Sequence, residues 1–208
     1  MKLWADFAPE LAIQLPDCPT YVIGPFMKRA AIDYFRNYRI WRTDTPITVA
    51  TTVLGQRLYT VTNPSGQELC GLPAIWINGK EVKEATPSDA DSVLPDDTGD
   101  IKQVGVVNGT TIRVIPGPAA DGVIITATVA YKPTEDALGL PDQFWAHTYR
   151  STMQKMAMVE LKRMKGKPWT DERGAAQLEK DLGQDALYDA TMTGPIRRNR
   201  LRTKKQVI

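Results

Sequence analysis

The spacing of apolar residues changes period twice along this chain, and that change restricts the fold more than any single motif. Ile23, Phe26, Met27, Ala30, Tyr34, Tyr38 and Trp41 recur at three- and four-residue steps, the spacing that lines up one face of an α-helix. From Pro46 the step shortens to two. Ile47, Val49, Thr51 and Val53 alternate with polar or small residues, and Val123, Ile125, Ala127, Val129 and Tyr131 do the same at the far end. Beyond Leu140-Pro141-Asp142 the helical step returns, first through Trp145, Tyr149, Met153, Met156, Ala157, Leu161 and Met164. A second run follows through Ala175, Leu178, Leu182, Ala186 and Ala190. One helix before a β unit and two after it, each with a single apolar face, predict helices packed on one another. The expected fold class is therefore α+β: an antiparallel helical bundle with an inserted antiparallel β domain and an extended C-terminal tail. The expected division is a discontinuous helical domain (1–45 and 134–193), a β domain (46–133) and a tail (194–208). At 208 residues the chain has room for one generous domain or two small ones.

Local signals set the boundaries. Pro9, Pro16 and Pro19 leave space for only a short helical turn near Phe7 to Leu15. Asn78-Gly79 and Asn108-Gly109 each lie between β-rich runs, where positive φ at both residues makes a tight hairpin. Asp142 is placed to cap the first late helix. Thr170 is placed to cap the second, with Asp171 and Glu172 favourable to its dipole.

Charge is divided unevenly. Residues 1–193 carry 20 Lys and Arg against 24 Asp and Glu, a net of −4, whereas residues 194–208 carry six bases and no acid. A basic end on an acidic body points to contact with nucleic acid or an acidic protein surface; a merely solvated end is the plain alternative. No apolar run approaches the ~20 residues of a membrane span, and Asp6 and Glu10 argue against a secretory leader. Cys18 and Cys70 form no disulfide framework and fit a reducing compartment. The expectation is a protein made soluble inside the cell, with no membrane partner.

Catalytic groups are sparse. His147 is the single histidine, and a lone helical histidine is more simply a surface or hydrogen-bonded residue than a base. Nucleophile-elbow, phosphate-loop and zinc motifs do not occur. Glu84, Asp89, Asp91, Asp96, Asp97 and Asp100 lack calcium-loop spacing and read as acids of an exposed loop. Trp41, Trp145 and Trp169 read as packing residues, while Trp4 and Trp76 are open to a role as interface anchors. No enzyme activity, cofactor or metal is expected.

The order of landmarks resembles a known family. Leu15-Pro16-Asp17-Cys18-Pro19 leads into a helix ending near Trp41, and the β-rich middle ends in Tyr131-Lys132-Pro133-Thr134-Glu135-Asp136-Ala137. Leu140-Pro141-Asp142, a Met-rich helix and Met164-Lys165-Gly166-Lys167-Pro168-Trp169-Thr170-Asp171 follow before the last helix. Over about residues 13 to 190 this resembles the head-to-tail adaptor (connector) proteins of tailed bacteriophages. The resemblance implies a ring, typically of twelve copies, beneath the portal protein in the virion neck, with subunits made in the host cytoplasm. Its helices would form the ring body and extend a channel through which DNA passes without sequence-specific binding. A downstream tail or nozzle protein would bind the other side. The C-terminal segment would reach into the portal, which here means Ile196, Arg197, Arg198, Arg200, Leu201, Arg202, Lys204, Lys205, Val207 and Ile208. The rival expectation is a DNA-binding or packaging protein using the same basic arm, or another neck or tail-completion protein.

Overall fold

A computed structural model describes residues 1–86, 97–145 and 147–192. Four α-helices occur among them: α1 (Ala8–Gln14), α2 (Thr20–Tyr38), α3 (His147–Lys162) and α4 (Glu172–Met192). Short 3-10 turns at Trp4–Phe7 and Asp142–Trp145 precede α1 and α3. The strands are β1 (Lys2–Leu3), β2 (Ile47–Thr51), β3 (Leu58–Thr60), β4 (Gln67–Ile77), β5 (Lys80–Glu84), β6 (Thr98–Gly99), β7 (Gln103–Asn108), β8 (Thr111–Ile115), β9 (Gly117–Pro118), β10 (Ile124–Pro133) and β11 (Gly139–Leu140).

Seven strands join in the order β2-β10-β4-β5-β7-β8-β3. The two edge strands, β2 and β3, are consecutive in the chain, and the sheet curls toward a barrel between them. The Tyr59 hydroxyl fastens that seam, accepting from Val53 N–H at 3.1 Å and donating to the Gln56 carbonyl at 2.7 Å. Val49, Ile75, Val104, Ile112, Val114, Ile125, Ala127 and Val129 are all buried, as the two-residue period requires. Strand β4 spends two more residues than β10 over their shared ladder, with register shifts opposite Thr128 to Tyr131. Pro73 falls in that irregular stretch and is exposed, the setting in which a strand tolerates a residue without a backbone donor.

The sheet is mixed, not antiparallel throughout: β5 pairs with β7 in parallel, Lys83 opposite Gln103. Parallel neighbours need a long crossover, and residues 85–102 supply it. Both hairpins form, by different means. Asn78 (φ 49°) and Gly79 (φ 76°) take the positive φ expected of them. Asn108 does not; its side-chain oxygen accepts from Thr110 N–H at 3.0 Å, an Asx-type closure.

The expected helical bundle with an inserted β domain is not what forms. The sheet dominates, and the helices share its core. Arg39, in the left-handed region (φ 51°), ends α2 after Tyr38, so Trp41 lies beyond the helix. The chain then runs along β10: Tyr131 N–H donates to the Trp41 carbonyl at 2.7 Å and Thr43 N–H to the Val129 carbonyl at 2.9 Å. Phe35, Trp41 and Phe144 meet with ring centroids 4.9–5.5 Å apart, and one apolar core runs through helices and sheet together. The physical reason is the width of the buried face of α2. Ala31, Ile32 and Phe35 are buried besides Ile23, Met27, Ala30 and Tyr34. A face that wide covers α3 and the sheet at once, where a single stripe would serve only a neighbouring helix.

Candidate functional site

The predicted docking residues, Ile196 to Ile208, lie outside the described residues, so the site is approached through the element that carries them. That element is α4. Its first turn is capped by Asp171, whose carboxylate accepts from Gly174 N–H at 2.9 Å and from Lys162 Nζ at 2.7 Å. Those two bonds, the lysine's first, hold the Asp171 carboxyl below its ordinary range. Thr170, expected as the cap, instead closes the preceding turn, bonding the Met164 carbonyl and accepting from Lys167 N–H at 3.2 Å. Arg163 bridges to Glu179 at 2.5 Å. Ala175 is fully buried and Leu178 packs at the core margin, so α4 turns back along α3 to form an antiparallel helical hairpin.

Helix α3 is itself fixed to α1. Both oxygens of Glu10 are used, by Arg150 at 2.9 Å and by Gln154 Nε2 at 2.7 Å. Arg150 also lies over the Trp145 ring at 5.1 Å, with Lys2 over the same ring at 5.2 Å and Phe7 against it at 4.6 Å. The mount for the C-terminal segment is thus braced through three helices.

At the end of the sheet where its edge strands meet, the 52–58 and 118–124 loops are bolted together. Thr52, almost fully buried, donates its hydroxyl to the Ala120 carbonyl at 2.8 Å and accepts from Val123 N–H at 3.0 Å. Leu54 N–H donates to Asp121 Oδ1 at 2.5 Å, and Gly55 N–H to the Pro118 carbonyl at 2.9 Å. The loops nevertheless leave Val53, Leu54, Leu58 and Ile124 exposed. Apolar side chains presented on a rigid support mark a surface suited to a protein partner. Sequence pattern missed this surface because its residues come from two distant loops.

The residues weighed for chemistry are dispersed. Cys18 is buried, and burial raises its thiol pKa; burial pushes the Cys70 thiol up to about 11. Both therefore stay protonated and weakly nucleophilic near neutrality. His147 is the first residue of α3. Glu84 is taken up by structure, pairing with Arg39 and accepting from Leu72 N–H at 3.0 Å. Arg39 lies so close over β4 that a Cβ added to Gly71 would sit 2.6 Å from its Nε. Asp97 and Asp100 are exposed, and Asp89, Asp91 and Asp96 lie outside the described residues. Among the described residues no group of three or more His, Cys, Asp or Glu is placed to hold a metal ion, and no helix is long and apolar enough to cross a membrane. Trp4 is buried and donates to the Ala137 carbonyl at 2.6 Å, so it packs the body; Trp76 is half-buried on β4.

No family model matches the chain, and no curated protein matches it.

Proposed function

We propose that this chain is a structural virion protein, a head-to-tail adaptor that joins the capsid vertex of a tailed bacteriophage to its tail. In this reading it assembles as a ring of twelve copies beneath the portal protein, lines the path of DNA without reading sequence, and receives a downstream tail or nozzle protein. The observation that carries the reading is the charge division. An acidic body ends in a long braced helix, and a wholly basic segment with apolar residues between its charges follows. The order of landmarks over residues 13 to 190 supports it. The ring body in this reading is the joint sheet-and-helix body described above.

Segment 194–208 does the docking. Fully extended, it spans on the order of 50 Å, enough to leave one ring and enter another. Ile196, Leu201, Val207 and Ile208 supply most of the affinity, about 1.5–3 kcal/mol for each side chain fully buried. The exposed ion pairs of Arg197, Arg198, Arg200, Arg202, Lys204 and Lys205 add only ~0–1 kcal/mol each and favour an acidic portal surface. Repetition around the ring multiplies a weak contact into a stable attachment. The bolted apolar loops at the end of the sheet are the natural platform for the next component.

Co-sedimentation with portal particles of the same virus, in moderate salt, tests this reading. The full chain is expected to attach, and a chain ending at Thr193 is expected to stay folded and fail to attach. Equal attachment by both removes the role of the tail. If neither attaches and duplex DNA binds with a log–log salt slope near −0.9 per phosphate contact, the DNA-binding alternative replaces the adaptor.

A further inference from the structure

The turn between α3 and α4 is a basic knob on an acidic body. Residues 162–173 carry five bases against two acids, a net of +3, while the rest of 1–193 carries 15 against 22, a net of −7. Two of the five bases are paired within the hairpin, Lys162 with Asp171 at 2.7 Å and Arg163 with Glu179 at 2.5 Å. Lys165, Lys167 and Arg173 are exposed and have no carboxylate partner among the described residues. The knob is also stiff. Gly166 takes a positive φ of 72°, Thr170 N–H donates to the Lys167 carbonyl at 3.1 Å, and Asp171 N–H donates to the Lys162 carbonyl at 2.9 Å. Its charges are therefore presented at fixed points rather than on a loose loop.

The opposite chemistry lies along the ribbon of β1 and β11. Asp6, Glu135, Asp136 and Asp142 are exposed there, beside the apolar side chains of Leu3 (46%) and Leu138 (71%). The Met1 ammonium pairs with Asp142 at 3.0 Å, Lys2 lies over Trp145, and Lys28 donates to the Glu135 carbonyl at 2.6 Å. No cation reaches the carboxylates of Glu135 and Asp136 among the described residues. Backbone pairing of Leu3 with Gly139 and the Trp4 bond to the Ala137 carbonyl hold this surface in place. Asp142 opens the turn that leads into α3, and Arg163 follows its last residue. The 16 residues of α3 separate the two by about 24 Å. The uncompensated bases and the uncompensated acids thus stay apart within one chain, and every copy carries both.

From this charge complementarity we infer that the α3–α4 turn of one copy docks on the ribbon surface of a second copy, with Lys165 and Lys167 facing Glu135 and Asp136. Pro168, exposed beside the lysines, meets the apolar side chains of Leu138 and Leu3. Because the two surfaces differ, the contact is head-to-tail and passes from copy to copy. The inference deepens the adaptor reading, whose ring requires each subunit to offer two different surfaces to its neighbours. Being carried largely by exposed charge, the contact weakens as salt rises.

Zero-length carbodiimide crosslinking of the full chain at low salt, in a mixture of ¹⁴N and ¹⁵N protein, tests it. Crosslinks from Lys165 or Lys167 to Glu135 or Asp136 are expected, in isotopically mixed pairs. Two charge-reversed variants follow, Lys165→Glu with Lys167→Glu, and Glu135→Lys with Asp136→Lys. All four positions are exposed, so both melting curves are expected to match the parent. In sedimentation velocity each variant alone is expected to self-associate about tenfold more weakly than the parent, and an equal mixture of the two to recover association. Crosslinks of a single isotope, crosslinks of these acids to other lysines only, variants that associate as the parent does, or a mixture that fails to recover would each overturn the inference. Loss of duplex DNA binding in the lysine variant, with no self-association of the parent, would overturn it in favour of a phosphate-binding turn. Attachment of the full chain to portal particles is read separately, so it can stand while this contact fails.

Discussion

The curled sheet and the helical layer reach the same core by different routes. The sheet is specified through its backbone. Its ladders, the two-residue period and the Asn78-Gly79 turn each limit the next strand's position, and the Thr52 bolt completes the end. The helical layer is specified through side chains. Phe35, Trp41 and Phe144 come from three separate stretches, and Glu10 reaches across to Arg150 and Gln154. A strand carries its partner's register in its own hydrogen bonds, whereas an amphipathic helix fixes its buried face and leaves open what that face meets.

The comparison can be broken at its shared point first. Phe35 is fully buried between α2, Trp41 and Phe144, so Phe35→Ala is expected to cost about 3–5 kcal/mol. Urea denaturation followed by far-UV circular dichroism and by tryptophan fluorescence should show both midpoints falling together. Thr52→Val touches the sheet alone. It leaves the Val123 N–H and the Ala120 carbonyl without their partner at an expected cost of about 1–3 kcal/mol. Hydrogen exchange should quicken most in residues 118–124, through local opening, while the slowest amides of α2 quicken only by the fall in global stability.

Smaller effects sharpen the boundary between the regions. Arg39→Ala removes the partly exposed pair that ties the end of α2 to Glu84 and should lower stability by about 1 kcal/mol, read as a shift in urea midpoint. The least effect is that of pH on α4. Because the Asp171 carboxyl is held low by Lys162 and the Gly174 N–H, its contribution is present above the ordinary aspartate range and is lost as pH falls through the depressed value. Asp171→Asn keeps a capping oxygen and gives up the charge. The variant should therefore lose less stability than the parent between pH 5 and pH 2, measured as melting temperature.

These contrasts explain what the sequence disclosed. Period and turn chemistry located α1, α2, both hairpins and β10 to within a few residues, because each signal acts between near neighbours. The stripe Ile23 to Tyr38 points to a helical bundle because it omits Ala31, Ile32 and Phe35, the residues that widen the buried face toward the sheet. Adjacent apolar pairs such as Ala31-Ile32 and Tyr34-Phe35 were the available sign of a helix covered on two sides. The parallel β5–β7 pairing could not be read from spacing, since its partners are separated by the acidic crossover. Of the candidate site, the basic segment is visible as composition alone. The bolted loops come from residues far apart in sequence, with no local pattern to announce them.

The central structural claim is that helices and sheet form one cooperative unit. Native-state hydrogen exchange on the full chain tests it most directly, comparing the slowest amides of α2 with those of β4 and β10 as urea is raised. The account predicts that all three converge on one unfolding free energy with one urea dependence. Sheet amides that remain protected after those of α2 have opened would contradict it, and would restore a helical layer that folds apart from the β unit.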